Sequence, residues 1–212
     1  MNRIAFLRPG IVLALLVTLL VTLNACTGVT VKLAEDEQQA ANRQRAEQLA
    51  TMVEWGFVGK ISLDDGDQGG SGRLQWDVNQ DVSVLDFHAA MGRGAWHLDF
   101  GPQGATLKEA DGVVRTATTV NTLIQDRMGW PIPVDALQWW VRGLAAPDAI
   151  EAQQLDSEGR MAQLQQLGWS VIFKRYSADA GIAMPVRLEA TRADYRVKLA
   201  ISRWHLSPAA GE

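Results

Sequence analysis

A single cysteine, Cys26, serves all 212 residues, so the chain can form no internal disulfide. Histidine is nearly as scarce: His88, His97 and His205 are the whole supply, and no His/Cys set has the spacing of metal ligands. No serine sits in a Gly-x-Ser-x-Gly elbow, and no helix pattern follows Gly69-Gly70-Ser71-Gly72 to cradle a phosphate. His97 and Asp99, two apart on a strand pattern, share a face and could act as base and orienter, although a solvated strand face explains them as well. These shortages nominate no catalytic residue, no metal and no cofactor, and an enzyme is not expected. Basic residues form no cluster in the sequence, and the net charge of −4 argues against a nucleic-acid partner. After the first twenty-five positions, no apolar run is long enough to cross a bilayer. The first thirty positions also lack any acidic residue.

That acid-free start carries the clearest signal in the chain. Arg3 and Arg8 precede an apolar segment from Ile11 to Leu23, broken only by Thr18 and Thr22. In a helix it would reach about 20 Å, short of a roughly 30 Å hydrocarbon core, so it reads as a secretory leader rather than a span. Leu23-Asn24-Ala25-Cys26 then resembles the bacterial lipobox. Cleavage after Ala25 is expected to remove residues 1–25, leaving Cys26 with an S-diacylglyceryl group and an N-acyl chain. An exported chain seldom keeps one free thiol without a use for it. Three acyl chains hold a membrane far more firmly than the single chain that is only marginal. Thr27 stands where an Asp would be the usual inner-membrane retention signal, which points to an outer-membrane anchor facing the periplasm. Without Arg3 and Arg8 the net charge is −6.

Residues 26–33 read as a tether, 34–206 as one domain and 207–212 as a loose tail. Glu35 to Glu54 reads as a helix, its acidic start suiting the macrodipole and Ala46, Leu49, Met52 and Val53 recurring on one face. Gly56 is expected to end it. The period then falls to two: Phe57, Gly59, Ile61 and Leu63; Leu74, Trp76 and Val78; Leu85 and Phe87; Trp96, Leu98 and Phe100. A hairpin around Ala110-Asp111-Gly112 completes a six-strand meander. Val120 to Met128 reads as a helix capped by Thr118 or Thr119 and stopped by Gly129, and Val134 to Arg142 as another. Trp130-Pro131-Ile132-Pro133 between them is extended. Five strands follow: Ile150–Leu155, Met161–Leu167, Trp169–Tyr176, Pro185–Thr191 and Tyr195–Trp204. The fold class is therefore mainly β with helices: about eleven antiparallel strands whose sheet must curl, with three amphipathic helices filling or covering its inside. Eight tryptophans suggest a large core or a wet apolar groove. Adjacent Trp139 and Trp140 lie about 100° apart on a helix, so one of them should line a hollow or face solvent.

Short motifs follow one another along the chain: Trp55-Gly56-Phe57 with Gly59, Gly72-Arg73-Leu74-Gln75-Trp76, and Gly129-Trp130-Pro131-Ile132-Pro133 leading to Leu137, Trp140 and Gly143-Leu144. Gly168-Trp169-Ser170-Val171, Met184-Pro185 and Arg196-Val197-Lys198-Leu199 ending at Trp204 complete the series. In this order they resemble the LolB family of outer-membrane lipoprotein receptors. The resemblance implies an unclosed β-barrel with helices at its mouth. It implies a non-enzymatic monomer that accepts acylated lipoproteins from the periplasmic carrier LolA and releases them into outer-membrane lipid. Leu74, Trp76, Leu85, Phe87, Leu123, Leu137, Trp140 and Trp169 are the expected lining of its acyl cavity. Family members carry a Pro-Leu-Gly loop whose leucine serves release. Ala90, Met91 and Gly92 stand there, with Met adaptable and close to Leu in volume, and Ala90 less rigid than proline. The alternative is a structural or scaffolding lipoprotein whose sheet is filled by its own side chains.

Overall fold

A computed structural model describes residues 33–90, 94–129 and 131–207, with Met128 described by its backbone only. These belong to the compact unit that begins at Leu33. Helix α1 spans Glu35–Ala50. Six strands follow: β1 (Glu54–Asp64), β2 (Gly69–Asn79), β3 (Val82–Ala89), β4 (Ala95–Gly101), β5 (Gly104–Glu109) and β6 (Val114–Ala117). Helices α2 (Val120–Met128) and α3 (Val134–Trp140) come next. The last five strands are β7 (Ile150–Leu155), β8 (Met161–Gln166), β9 (Trp169–Ser177), β10 (Met184–Arg192) and β11 (Tyr195–Ser207).

All eleven strands form one antiparallel sheet in the order β6-β5-β4-β3-β2-β1-β11-β10-β9-β8-β7. The two runs of hairpins meet where the first strand pairs with the last, from Glu54↔Ser207 to Asp64↔Arg196. Since β6 and β7 lie at opposite ends of that order, the sheet stays unclosed, as expected. Period-two patterning decides which side faces in. On β2, Leu74, Trp76 and Val78 are buried while Arg73 and Gln75 are exposed. Across the ladder Leu74 meets Phe87, and Trp76 meets Leu85. Against this inner face lie Val120, Leu123 and Ile124 of α2 and Leu137 and Trp140 of α3, in one continuous core with the sheet residues. A second small cluster of Leu49, Leu144 and Met184 seats α1. A chain begun at Thr27 keeps every element described, since the first of them starts at Glu35.

Several boundaries differ from expectation. Helix α1 ends at Ala50, not Glu54, because Glu54 and Trp55 are hydrogen-bonded into the sheet between β2 and β11. Its buried side is Gln38, Arg45 and Leu49, while Val53, expected on the packed face, is exposed. Helix α3 stops at Trp140, and the chain turns through Gly143, whose φ of 76° favours glycine. Strand β11 runs through Ser207, one residue into the expected tail. Helix α2 has the expected limits: Thr119 accepts a hydrogen bond from the Thr122 N–H, and Gly129 caps the other end.

Candidate functional site

The inner face of the sheet carries a web of aromatic rings. Trp55 and Phe57 of β1 lie 5.8 and 6.0 Å from Trp76, which meets Phe100 edge-on at 6.3 Å. Trp204 of β11 closes the web, 6.1 Å from Trp55 and 5.2 Å from Phe57. On the other wing Trp140 of α3 lies 6.4 Å from Trp169 of β9. Such contacts add about 0.5–1.5 kcal/mol each to the area they bury. The indole N–H groups of Trp76 and Trp169 are buried and find no acceptor among the described residues. A buried donor left unpaired costs about 1–3 kcal/mol, so each is a place where stability has been given up. By contrast, Trp140 donates to the side-chain oxygen of Gln166 at 2.9 Å.

The eight residues expected to line an acyl cavity are brought to one side of the sheet. Leu74, Trp76, Leu85, Leu123, Leu137, Trp140 and Trp169 are all buried members of the one core, with Phe87 half-buried against it. They pack on one another rather than around an open hollow. Two open clefts flank them. The first, about 820 Å³, lies between α3 and the β2–β3 and β4–β5 hairpins, walled by Trp55, Val78, Phe100, Val120, Trp139 and Arg142. Trp139 thus lies in the wall of a cleft while Trp140 is in the core. The second, about 840 Å³, takes in Leu63, Asp64, Phe87, Ala90, Trp96 and Arg127 at the opposite rim. Phe87, stacked on Trp96 at 5.1 Å, is the one expected lining residue in either wall.

Two arginines escaped the sequence reading. Arg142 is buried between the rings of Trp55 and Trp139, 5.0 and 4.7 Å from their centres, and donates to the carbonyls of Leu49 and Gln138. Burial lowers its pKa to about 10. Arg45 of α1 donates to the Arg142 carbonyl at 2.9 Å and lies over the Tyr176 ring, while its Nε and Nη1 find no hydrogen-bond partner among the described residues. An arginine inside an alanine-rich helix gives no local sign that its guanidinium will be buried. Burial also raises the pKa of Asp135, beside the first cleft.

His97 bridges two carboxylates on the wet side of the sheet, with Nδ1 2.7 Å from Asp86 and Nε2 3.1 Å from Asp99. The bond to Asp86 raises its pKa, a charged cross-strand pairing of the kind expected on a solvated face. No group of three His, Cys, Asp or Glu able to hold a metal occurs among the described residues. No helix among them is long and apolar enough to cross a membrane. Ala90 is exposed and its N–H donates to the Ser71 carbonyl at 2.9 Å; Met91 and Gly92 lie outside the described residues. So do Ala25 and Cys26 and the tether up to residue 32, while the Leu33 N–H donates to the Ser157 carbonyl.

One unclosed antiparallel sheet of eleven strands with helices packed on its apolar face defines the class of half-barrel domains. The family described as "Outer membrane lipoprotein LolB" matches residues 53–204, and the chain belongs to that family. Outer-membrane lipoprotein LolB of Pseudomonas savastanoi pv. phaseolicola is 36% identical over 201 residues, covering 94% of this chain and 96% of that protein. Its counterpart in Alkalilimnicola ehrlichii is 33% identical over 187 residues, covering 88% and 92%. A solved LolA superfamily protein from Nitrosomonas europaea overlays with a TM-score of 0.48 at 10% identity, covering 81% of this chain and 94% of that one. The chain is an outer-membrane lipoprotein, lipid-anchored and periplasm-facing, with a part in lipoprotein localisation rather than catalysis.

Proposed function

We propose that this protein accepts acylated lipoproteins from the periplasmic carrier LolA and inserts them into the outer membrane. Cys26 would be its own anchor, and the inner apolar face its acyl site. The observation that carries this reading is the pair of buried indole N–H groups, on Trp76 and Trp169, without an acceptor among the described residues and within a mainly apolar face. An acylated cysteine offers what that face lacks, long tails together with ester and amide carbonyls that accept hydrogen bonds. Burying several hundred Å² of acyl chain is worth on the order of 10 kcal/mol before ordering costs, so binding needs no ion pair. The tails enter by displacing α2 and α3 side chains from the face. The loop Ala90-Met91-Gly92 would then lead cargo into the bilayer.

The packed interior favours a second reading, a structural lipoprotein with a permanently filled core. One set of measurements separates them. Soluble chain begun at Thr27 is mixed with purified carrier loaded with cargo, and transfer is followed by affinity separation. Transfer is expected, as is uptake of a fluorescent fatty acid. Folded protein that takes neither sinks the receptor reading. Met91→Glu should keep uptake and impair delivery into liposomes; unchanged delivery removes Met91 from that role.

A further inference from the structure

The outer face of the sheet carries a row of cations that the acyl site does not use. The register sets Arg73 of β2 against Lys60 of β1, Lys60 against Ala200 of β11, Ala200 against Arg187 of β10, and Arg187 against Arg175 of β9. Four basic side chains thus line up across five adjacent strands, a span of about 19 Å along the sheet. All four are exposed, and they wall one cleft of about 400 Å³ with Ala200 as its low centre. Among the described residues none of the four has a carboxylate in ion-pair reach, and no carboxylate stands in the cleft wall. Glu189, on the next outward position of β10, is already held by Lys174 and Arg196. Four unneutralised cations in a row are unexpected on a chain whose net charge is negative. The row continues through His88 of β3, paired with Arg73, to the rim where Ala90 lies exposed.

We infer that Lys60, Arg73, Arg175 and Arg187 form a docking surface for the anionic phospholipid headgroups of the membrane to which the chain is anchored. An array of separate cations on a curved sheet suits many phosphates in a plane rather than one ligand in a pocket. A lipid anchor keeps such a plane within reach. The inference rests on the delivery reading for its purpose: the row would hold the rim bearing Ala90 against the bilayer while cargo passes.

Soluble chain begun at Thr27 is floated with phosphatidylcholine vesicles and with vesicles containing about one-third phosphatidylglycerol, at about 0.15 M salt. Binding is expected on the anionic vesicles alone and should fade as salt rises. A basic residue near an anionic surface contributes about a fivefold factor, so Lys60→Gln with Arg187→Gln should lower partitioning at least about tenfold. Both positions are exposed, and an unchanged melting temperature confirms that the fold is kept. Arg43→Glu, a reversal on the exposed side of α1, should bind like the unaltered chain. Undiminished binding by the double variant, or equal binding to neutral vesicles, overturns the inference, as does failure of the unaltered chain to bind. Loss of carrier docking in the double variant without vesicle binding by the unaltered chain would assign the row to an acidic protein instead. Cargo uptake in solution without vesicles should be unaffected in the double variant. Its failure in the unaltered chain would count against the receptor reading and leave the row standing.

Discussion

Gln166 offers the sharpest test of how α3 is held over the inner face. Its side chain is fully buried at the end of β8, and all its main valences are used. The oxygen accepts from the Trp140 indole and from the Ala146 N–H, each at 2.9 Å; the nitrogen donates to the carbonyls of Ala146 and Asp148 at 3.0 and 2.8 Å. One amide therefore ties the end of α3 and the following loop to the sheet. Gln166→Leu fills similar space and leaves the Trp140 N–H, the Ala146 N–H and the Ala146 carbonyl buried and unpaired. The Asp148 carbonyl, nearer the surface, can turn to water. Each of the three buried orphans costs about 1–3 kcal/mol, and the leucine side chain returns part of that through its own apolar burial, so the loss should lie towards the lower end, about 3–5 kcal/mol. In a domain of this size that lowers Tm by roughly 6–20 °C. Chemical denaturation of the soluble chain, followed by tryptophan fluorescence and with the m-value checked for constancy, measures it. A loss under about 1 kcal/mol would refute the reasoning, since the freed groups would then have found other partners.

Two further perturbations follow from cross-strand contacts. Gly56 of β1 lies between His205 of β11 and Asp77 of β2, which meet across it at 2.6 Å, and a β-carbon there would stand 2.1 Å from the His205 ring. Gly56→Val should cost about 1–3 kcal/mol, with part recovered in a His205→Ala background; equal costs in the two backgrounds would show that the clash lies elsewhere. Glu109 of β5 accepts from Arg127 of α2 and from Arg115 of β6, which hold its pKa down to about 2. Its folded pKa lies below the unfolded one, so its support is complete above about pH 4.5 and is lost as pH falls towards 2. Stability measured against pH should fall less steeply across that window in Glu109→Gln; identical slopes would show that the bridge does not couple to folding.

Local signals carried most of the fold. Alternation at Leu74, Trp76 and Val78 marked a strand with one wet side, and Asp111-Gly112 marked a hairpin, because both effects act between neighbours in the chain. The Thr119 cap and Gly129 stop bounded α2 for the same reason. What stayed hidden depends on distant partners. Nothing near Glu54 says that Ser207 and Asn79 will pair with it, so the helix pattern seemed free to run on past Ala50. Gln166 reads as an ordinary polar strand residue until the loop after α3 folds over it. The basic row is invisible in sequence, since its members stand at positions 60, 73, 175 and 187 and only the register unites them. The residues expected to line an acyl cavity were legible as an apolar face but not as a packed one, since periodicity reports which side is greasy and not what covers it.

What covers that face bears on how transfer could run in one direction. The inner surface is dressed by Val120, Leu123, Ile124, Leu137 and Trp140 from the two helices. Under the receptor reading, acyl chains replace those side chains, so apolar cover is exchanged rather than created. The roughly 25 cal/mol per Å² gained on burying the tails is then largely offset by uncovering helix surface, and the net binding energy is a small difference. A small difference suits an intermediate acceptor. Bound too firmly, the cargo would never leave for the bilayer; bound too weakly, it would stay with the carrier. Under that reading the unpaired N–H groups of Trp76 and Trp169 would tilt the balance, because a carbonyl-bearing ligand would bring them acceptors. Bare hydrocarbon tails would exchange with helix side chains at near parity, and acylated cargo would bind somewhat better.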